Sequence, residues 1–299
     1  MPRFSGVFAN LLTAHTPDAR RFEPGAQRDY VDWVVTQGVH GVTASLSSGE
    51  FGYHNTDERA AIIDCVCRVV DGRVPVLAGI SEPTLDGTCD LARRAQDAGA
   101  SALMAMPRSY FVLTDPEVVN YFETLLRAVD VPIGIYNNPS ATGIDIGAEL
   151  YERIVRLDPG RIVVSKDGSG ALFRTPDVLA RCPDFSLLQG YAQLMLGAFM
   201  HGAPGTDFAM ASVLPSPFLA IYRHAVVERD VGRAADTYRQ LLPLFRLMER
   251  HNVTRLVRAI APMVGLANLG PHRAPLLPMA TEQLAEIRRV IDEIHDRAS

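Results

Sequence analysis

The chain has 299 residues, and its 47% hydrophobic and 21% charged content is that of a globular protein, which excludes disorder as its main character. Its net charge of -5 and pI of about 5.9 provide no attraction for nucleic acid or for an anionic membrane surface. We therefore expect a small-molecule partner, with no nucleic-acid partner and no membrane partner.

The N-terminal segment lacks the apolar core of a secretion signal, and no apolar run has the length of a membrane span. These features favour a cytoplasmic protein. The four cysteines are too few for a disulfide framework, and the spacing of Cys65 and Cys67 is not that of a zinc site. The histidines form no H-E-x-x-H motif, so we expect no metal.

Short apolar runs bounded by Gly, Pro and Asp recur through the first two thirds of the chain, with helical patterns between most of them. The predicted strands are 7–12, 41–45, 74–80, 102–106, 132–136, 162–165, 185–188 and 206–211. Helix start signals stand at Asp57 and Asp115. Alternating strands and helices predict an α/β fold, and eight such units favour a (β/α)8 TIM barrel. A doubly wound sheet is disfavoured because no G-x-G-x-x-G motif follows the first strand.

The pattern changes to helices alone after about residue 217. The predicted helices are 220–228, 231–249, 252–264 and 281–296. Their apolar spacing is suited to packing on the barrel or on another subunit. We therefore expect a barrel over residues 1–216 that carries the active site, and a C-terminal helical extension over residues 217–299 that belongs to the same structural unit.

One lysine stands apart from the other basic residues. The chain contains 28 arginines and a single lysine, Lys166, which follows a predicted buried strand. Catalytic groups of a barrel lie at the C-terminal ends of its strands. Tyr136 ends the neighbouring strand, which places its phenol within reach of the lysine amine. The alternative is a structural lysine paired with Asp167 or another carboxylate.

A buried lysine supports a defined chemistry, because burial disfavours the ammonium form and a neutral amine attacks ketones. The resulting iminium withdraws electrons, so that a neighbouring carbon-carbon bond can break or form, or a β-hydroxyl can leave. The turn Ser47-Ser48-Gly49-Glu50 after the second strand offers hydroxyls and backbone N–H groups to a carboxylate. The alternative for this turn is a polar loop braced by Glu50.

These motifs together resemble the dihydrodipicolinate synthase and N-acetylneuraminate lyase family over nearly the whole chain. The family typically has Thr-Thr-Gly-Glu where this chain has Ser47-Ser48-Gly49-Glu50. The other matching elements are Arg59, Val74-Pro75-Val76-Leu77-Ala78-Gly79, Pro107 with Tyr110, Tyr136-Asn137-Asn138-Pro139, Thr142-Gly143, Ser165-Lys166-Asp167-Gly168-Ser169-Gly170, Gly190 and Gly205.

The resemblance implies a class I (Schiff-base) lyase on a TIM barrel, with no metal and no organic cofactor. By the same resemblance Lys166 forms the Schiff base with pyruvate or a related 2-oxo acid, and Tyr136 is the acid and base. Ser47 takes the place of a proton-relay threonine and, with Ser48, holds the carboxylate of the substrate. Tyr110 matches a relay tyrosine that a neighbouring subunit supplies, so the resemblance implies a homotetramer or homodimer.

Two departures from the family bear on the substrate. Ala141 stands where lysine-pathway synthases carry an arginine that binds the second substrate, and Asp207 stands where the eighth strand is usually apolar. The residues after Gly190 lack the polar pair of neuraminate lyases. We therefore expect Gly190 and Asp207 to be substrate-binding positions for a 2-keto-3-deoxy sugar acid. The alternative for Asp207 is that it braces a loop.

The leading hypothesis is therefore a lysine Schiff-base lyase that performs aldol cleavage, condensation or dehydration on such a substrate. One alternative is a genuine 4-hydroxy-tetrahydrodipicolinate synthase. The other, from a different class, is a barrel without catalytic activity that binds a keto acid.

Overall fold

The strands form the barrel that the sequence predicts. The computed structural model describes residues 3–266 and 269–298 of the chain. Eight parallel strands follow one another around a closed barrel, and the eighth pairs with the first. They are β1 (Gly6–Asn10), β2 (Gly41–Ala44), β3 (Val76–Gly79), β4 (Ala102–Ala105), β5 (Ile133–Asn137), β6 (Ile162–Asp167), β7 (Ser186–Gln189) and β8 (Gly205–Phe208). The prediction of a (β/α)8 TIM barrel is confirmed.

Helices cover the outside of the barrel between the strands. They are α1 (Pro24–Thr36), α2 (Thr56–Val70), α3 (Leu85–Asp97), α4 (Asp115–Ala128), α5 (Pro139–Thr142), α6 (Ala148–Val155), α7 (Arg174–Arg181), α8 (Met195–Met200) and α9 (Pro215–Tyr222). The helices α2 and α4 begin near the predicted start signals Asp57 and Asp115, but the capping residues are Asn55 and Thr114, which precede them. The Asn55 side chain accepts a hydrogen bond of 2.9 Å from the Glu58 N–H, and Glu117 accepts one of 2.7 Å from the Thr114 N–H.

The C-terminal extension is helical, but its boundaries differ from the predicted ones. Its helices are α10 (Val231–Gln240), α11 (Leu242–Arg250), α12 (Val253–Ile260) and α13 (Thr281–Ala298). The single helix predicted over 231–249 is wrong: it divides at Leu241, because Pro243 in the first turn of α11 has no N–H to continue α10. The proposed boundary between residues 216 and 217 falls inside α9. No helix of the described residues has both the length and the apolar composition of a membrane span.

Alternation along the strands separates two cores. Outward-facing side chains such as Val7 and Ala9 pack beneath the helices. Inward-facing side chains form a smaller core inside the barrel, whose members are Phe4, Phe8, Leu46, Leu77, Ala102, Met104, Met106, Tyr136, Val164 and Leu188. On β6 the next inward position beyond Val164 is Lys166. Polar side chains therefore begin where the apolar filling ends, at the C-terminal mouth of the barrel.

The eighth strand is shorter than predicted. The expected strand over 206–211 ends at Phe208, and Ala209–Ser212 form a 3-10 turn that is buried against the end of β1. The sequence cannot separate these two segments by hydrophobicity, because every residue of both is buried. The turn directs the chain away from the barrel mouth toward α9.

Candidate active site

Lys166 lies inside the barrel near the end of β6. Its residue is 5% exposed, and it pairs in register with Tyr136 of β5. The expected adjacency of these two strands is confirmed. The lysine Nζ lies 5.1 Å from the centre of the Tyr136 ring and 3.7 Å from Oδ1 of Asp207. The amine is thus held between an aromatic face and a carboxylate, away from bulk water.

Tyr136 connects the lysine to the serine turn. A hydrogen bond of 3.0 Å joins its hydroxyl to Oγ of Ser47, and the side-chain amide of Asn138 donates a second one of 2.9 Å to the same oxygen. The phenol is nearly inaccessible, with the residue 4% exposed. A buried hydroxyl held from two sides, beside an amine, is in a position to transfer protons.

Asp207 lies deeper than the sequence suggests. It is fully buried on the inner face of β8, and its Oδ2 accepts a hydrogen bond of 3.0 Å from Oγ1 of Thr43 on β2. Burial raises the pKa of Asp207, while the Lys166 charge and the hydroxyl of Thr43 act in the opposite direction. The carboxyl group therefore contacts the lysine instead of a surface loop. Sequence reasoning missed Thr43, whose only signal is a hydroxyl within an apolar strand.

The serine turn has a strained backbone that many contacts hold in place. Ser45 and Glu50 on either side of it have positive φ values of 55° and 58°. Oγ1 of Thr13 donates a hydrogen bond of 2.8 Å to the carbonyl of Gly49, and the buried Arg59 donates one of 3.0 Å to Oγ of Ser45. These contacts fix the turn that carries Ser47 and the buried Ser48.

Glu50 anchors this turn to the C-terminal extension. Nε of Arg258 donates a hydrogen bond of 3.0 Å to Oε1, where Nδ1 of His272 makes another of 2.9 Å, and the Arg273 N–H donates one of 3.0 Å to Oε2. Burial alone would raise the pKa of Glu50, but the hydrogen bond from His272 and the charge of Arg258 outweigh it and lower the pKa to about 2. The bracing alternative thus describes Glu50. Its partners follow more than 200 residues later, so local sequence could not reveal them.

A histidine pair lies behind the same turn. Nε2 of His15 and Nε2 of His54 are 3.0 Å apart, and both residues are buried. Burial, assisted by nearby arginines, lowers the pKa of each to about 4. The two rings are therefore neutral near pH 7, with one donating to the other. Within residues 3–266 and 269–298, no group of three or more His, Cys, Asp or Glu side chains is arranged to hold a metal ion.

A polar network behind β5 and β6 holds the ends of both strands. The Asn137 side chain donates hydrogen bonds to Asp167 at 3.0 Å and to Asp145 at 3.3 Å, and Arg174 forms a two-pronged ion pair with Asp145. Burial raises the pKa of Asp167, against the opposing effect of the Arg174 charge. Asp167 therefore bonds to this network, whereas the carboxylate that faces Lys166 is Asp207.

The other two predicted positions differ in their surroundings. A Cβ at Gly190 would lie 2.8 Å from the carbonyl oxygen of Asp167, so the close approach of the backbones itself requires glycine. Tyr110 is 94% exposed and contacts Phe111 edge to face, apart from the Lys166 cluster. Substrate binding at Gly190 and the relay role of Tyr110 both stay predictions.

Comparisons with a family model and with known proteins identify the same family. The family model described as the dihydrodipicolinate synthetase family matches residues 3–294. The chain is 32% identical to a protein of Escherichia coli K12 named "Probable 2-dehydro-3-deoxy-D-pentonate aldolase YjhH", over 99% of this chain and 96% of that protein. It is 28% identical to a 4-hydroxy-tetrahydrodipicolinate synthase of Methanothrix thermoacetophila, over 98% of each.

Solved structures agree with this result. The dihydrodipicolinate synthase of Agrobacterium tumefaciens superposes with a TM-score of 0.89 at 27% identity, covering 98% of each chain. The E. coli K12 prophage protein YagE, solved in complex with pyruvate, superposes with a TM-score of 0.91 at 23% identity, covering 98% of this chain and 99% of that one. The second likeness supports the fold alone.

Proposed function

Because this chain belongs to the dihydrodipicolinate synthetase family of lyases, we propose that it forms a Schiff base through Lys166 with pyruvate or a 2-keto-3-deoxy sugar acid. The observation that carries the proposal is the placement of the only lysine. It is buried at the end of β6 between the phenol of Tyr136 and the carboxyl group of Asp207. The alternative of a structural lysine also predicts the ion pair with Asp207, but it gives no reason for the phenol of Tyr136 and the hydroxyl of Ser47 to lie beside the amine.

The proposed chemistry starts with the neutral amine. The nitrogen of Lys166 adds to the keto carbon, and loss of water leaves an iminium. In aldol cleavage the hydroxyl at carbon 4 loses its proton and becomes the carbonyl group of a departing aldehyde, while the bond between carbons 3 and 4 breaks and its electrons form an enamine. Protonation at carbon 3 and hydrolysis release pyruvate and restore the amine. In dehydration carbon 3 loses a proton instead, and the hydroxyl at carbon 4 takes up a proton and leaves as water.

Each neighbour of Lys166 has a proposed part in these steps. Tyr136 accepts and donates the protons, and Ser47 extends its hydrogen-bond chain toward the mouth. The turn of Ser47 and Ser48 receives the substrate carboxylate. Asp207, 3.7 Å from the amine, supplies the negative charge beside the iminium cation.

Two observations favour a sugar acid over the lysine-pathway reaction. Ala141 provides no cation for a second carboxylate, and a relative at 32% identity carries the name of a 2-dehydro-3-deoxy-D-pentonate aldolase. The synthase remains the second candidate because several relatives carry that name.

A parallel assay separates these candidates. The purified protein is incubated with 2-keto-3-deoxy pentonates and hexonates, and released pyruvate and dehydration products are measured together. A second reaction contains pyruvate and aspartate semialdehyde with a coupled reductase. We expect turnover of at least one sugar acid and at most slow condensation. Fast condensation without sugar-acid turnover would replace the proposal by the synthase.

We also propose that the protein assembles as a homotetramer or homodimer. Tyr110, Phe111 and Val112 after β4 form an exposed apolar loop, with exposures of 94%, 75% and 65%. This loop suits burial against a second copy, where Tyr110 would reach the partner's site. Light scattering should give the mass of an oligomer, and Tyr110→Phe should lower turnover without changing that mass. A monomer with full activity would contradict both statements.

A further inference from the structure

The barrel geometry places one more polar side chain at the mouth. Neighbouring strands of an eight-stranded barrel are staggered by about one residue, so that each inner layer takes its side chains from alternate strands. With this stagger, the observed strand pairings put one residue from each even-numbered strand in the same inner layer. These residues are Thr43, Met104, Lys166 and Asp207. The layer above it, toward the mouth, consists of Asn10, Gly79, Tyr136 and Gly190.

Asn10 shares that upper layer with Tyr136. Phe8 faces the interior of the barrel, so the alternation on β1 directs Asn10 inward as well. Its register partner on β2 is Thr43, whose hydroxyl bonds to Asp207 across the inner face of β1. The remaining two positions of the layer are glycines, so Asn10 and Tyr136 supply its two side chains, while the backbone of Ser45 and the side chain of Leu46 lie against Gly79.

The amide of Asn10 has no partner among the described residues. The residue is 0% exposed, and neither its nitrogen nor its oxygen makes a hydrogen bond there. An unpaired buried amide is unfavourable for folding, and native proteins retain few such groups. Oδ1 of Asp207, in the layer below, also has no hydrogen bond within the described part of the chain, and its contact with Nζ of Lys166 is an ion pair of 3.7 Å. Both groups face the side of the barrel where the amine of Lys166 would hold a substrate.

We propose that Asn10 determines substrate specificity by binding a hydroxyl group of the substrate's carbon chain beyond carbon 3. A hydroxyl both donates and accepts, and it therefore satisfies the amide oxygen and the amide nitrogen together. The substrate carbons must lie in the upper layer, because apolar side chains fill the barrel below Lys166. This inference rests on the proposed function, since it requires a 2-oxo acid bound to Lys166.

The test compares two ligands on one lysine. Wild-type protein is incubated with increasing 2-oxopentanoate or 4-hydroxy-2-oxopentanoate, reduced with borohydride, and the total adduct on Lys166 is measured by mass. Pyruvate is the reference ligand in every series. We expect the wild type to be half-saturated by the hydroxylated acid at about a tenfold lower concentration than by its deoxy analogue, the effect of roughly one hydrogen bond. Asn10→Leu and Asn10→Ala should abolish this preference and leave trapping of pyruvate within about twofold.

A matched control comes from β8. Oγ1 of Thr206 is also buried and without a hydrogen bond among the described residues, but Thr206 faces the opposite side of the sheet from Asp207. Thr206→Val should therefore retain the preference for the hydroxylated acid. Unfolding in urea should show Asn10→Leu to be as stable as the wild type or more stable, because the change removes an unpaired buried amide.

The outcomes separate the two proposals. Failure of the wild type to trap pyruvate would overturn the proposed function and this inference with it. Trapping of pyruvate in all variants, with the hydroxyl preference unchanged in Asn10→Leu and Asn10→Ala, would overturn the role of Asn10 alone. Marked destabilisation of Asn10→Leu would also contradict it, because that result would assign Asn10 a structural role.

Discussion

Two buried carboxylates lie near the same barrel mouth and have opposite properties. Glu50 bonds to Arg258, His272 and a backbone N–H, and these contacts lower its pKa to about 2. Asp207 accepts a hydrogen bond from Thr43 and lies 3.7 Å from Nζ of Lys166, and burial raises its pKa. A fully paired charge holds structure, whereas an under-paired carboxyl group can respond when a cation forms beside it. The mouth of the barrel thus has a braced rim at Glu50 and an interior at Asp207 and Lys166 that we propose to be reactive.

The largest effect is expected in the interior that we propose to be reactive. Lys166→Ala removes the only side-chain amine of the chain and should lower kcat by about 10⁴-fold or more, because no other group can form the iminium. Steady-state kinetics on the best substrate measure the loss. Lys166→Arg keeps a cation and should be equally inactive, and near-wild-type activity in either variant would remove the lysine from the mechanism.

The next effect concerns the phenol. Tyr136→Phe keeps the aromatic face beside Lys166 but removes the hydroxyl that bonds to Ser47. We expect kcat to fall by about 10²- to 10⁴-fold, the usual range for a lost acid and base. Ser47→Ala leaves the phenol in place and should cost less. A larger loss for Ser47→Ala than for Tyr136→Phe would reverse the assigned roles.

The difference between the two carboxylates is tested by replacing each with its amide, in Glu50→Gln and Asp207→Asn. Glu50→Gln breaks a buried charge cluster and should lower the free energy of unfolding by about 3 kcal/mol, the value that corresponds to the pKa shift of Glu50 from 4.5 to about 2. Asp207→Asn should leave this free energy unchanged or higher and lower kcat by about 10- to 100-fold. Urea unfolding and steady-state kinetics on both variants measure these effects. A larger loss of stability in Asp207→Asn and a larger loss of kcat in Glu50→Gln would contradict the difference between the two carboxylates.

The sequence predicted which residues meet inside the barrel better than it predicted the bracing of the rim, for a physical reason. The apolar runs identify β5 and β6 as neighbours, so that the sequence alone pairs Tyr136 with Lys166, as the structure shows. Glu50 depends on Arg258 and His272, which only the tertiary fold brings close.

Two features of the barrel interior could not be predicted from the sequence and became visible only in the folded barrel. The depth of Asp207 and the layer of Asn10 depend on the stagger between strands, which hydrophobicity does not encode. The division of the predicted helix at Leu241 is different, since Pro243 was a local signal for it.

A smaller effect is expected in acid. His15 and His54 have pKa values lowered from 6.5 to about 4, so the fold keeps them neutral while the unfolded chain binds their protons more readily. Their contribution to stability is complete above pH 6.5 and is lost as the pH falls toward 4. The contribution of Glu50 is complete above pH 4.5 and is lost toward pH 2.

Urea unfolding at a series of pH values checks these windows. His54→Gln should flatten the decline between pH 6.5 and 4, and Glu50→Gln should flatten it below pH 4.5. The raised pKa of Asp207 has the opposite sign and favours folding at low pH. An unfolding free energy that stays constant from pH 7 to 4 would contradict the assignment of the histidines.

The identity of the amine that reacts is the most direct test of the proposed Schiff-base chemistry. The protein is incubated with pyruvate and borohydride and digested with trypsin, and the masses of its peptides are measured by mass spectrometry. Modification of Lys166 blocks cleavage there, so we expect one peptide over residues 162–174 that carries the mass of pyruvate less water plus two hydrogens. An unmodified peptide that ends at Lys166, with no adduct from any 2-oxo acid tried, would show that this lysine forms no Schiff base.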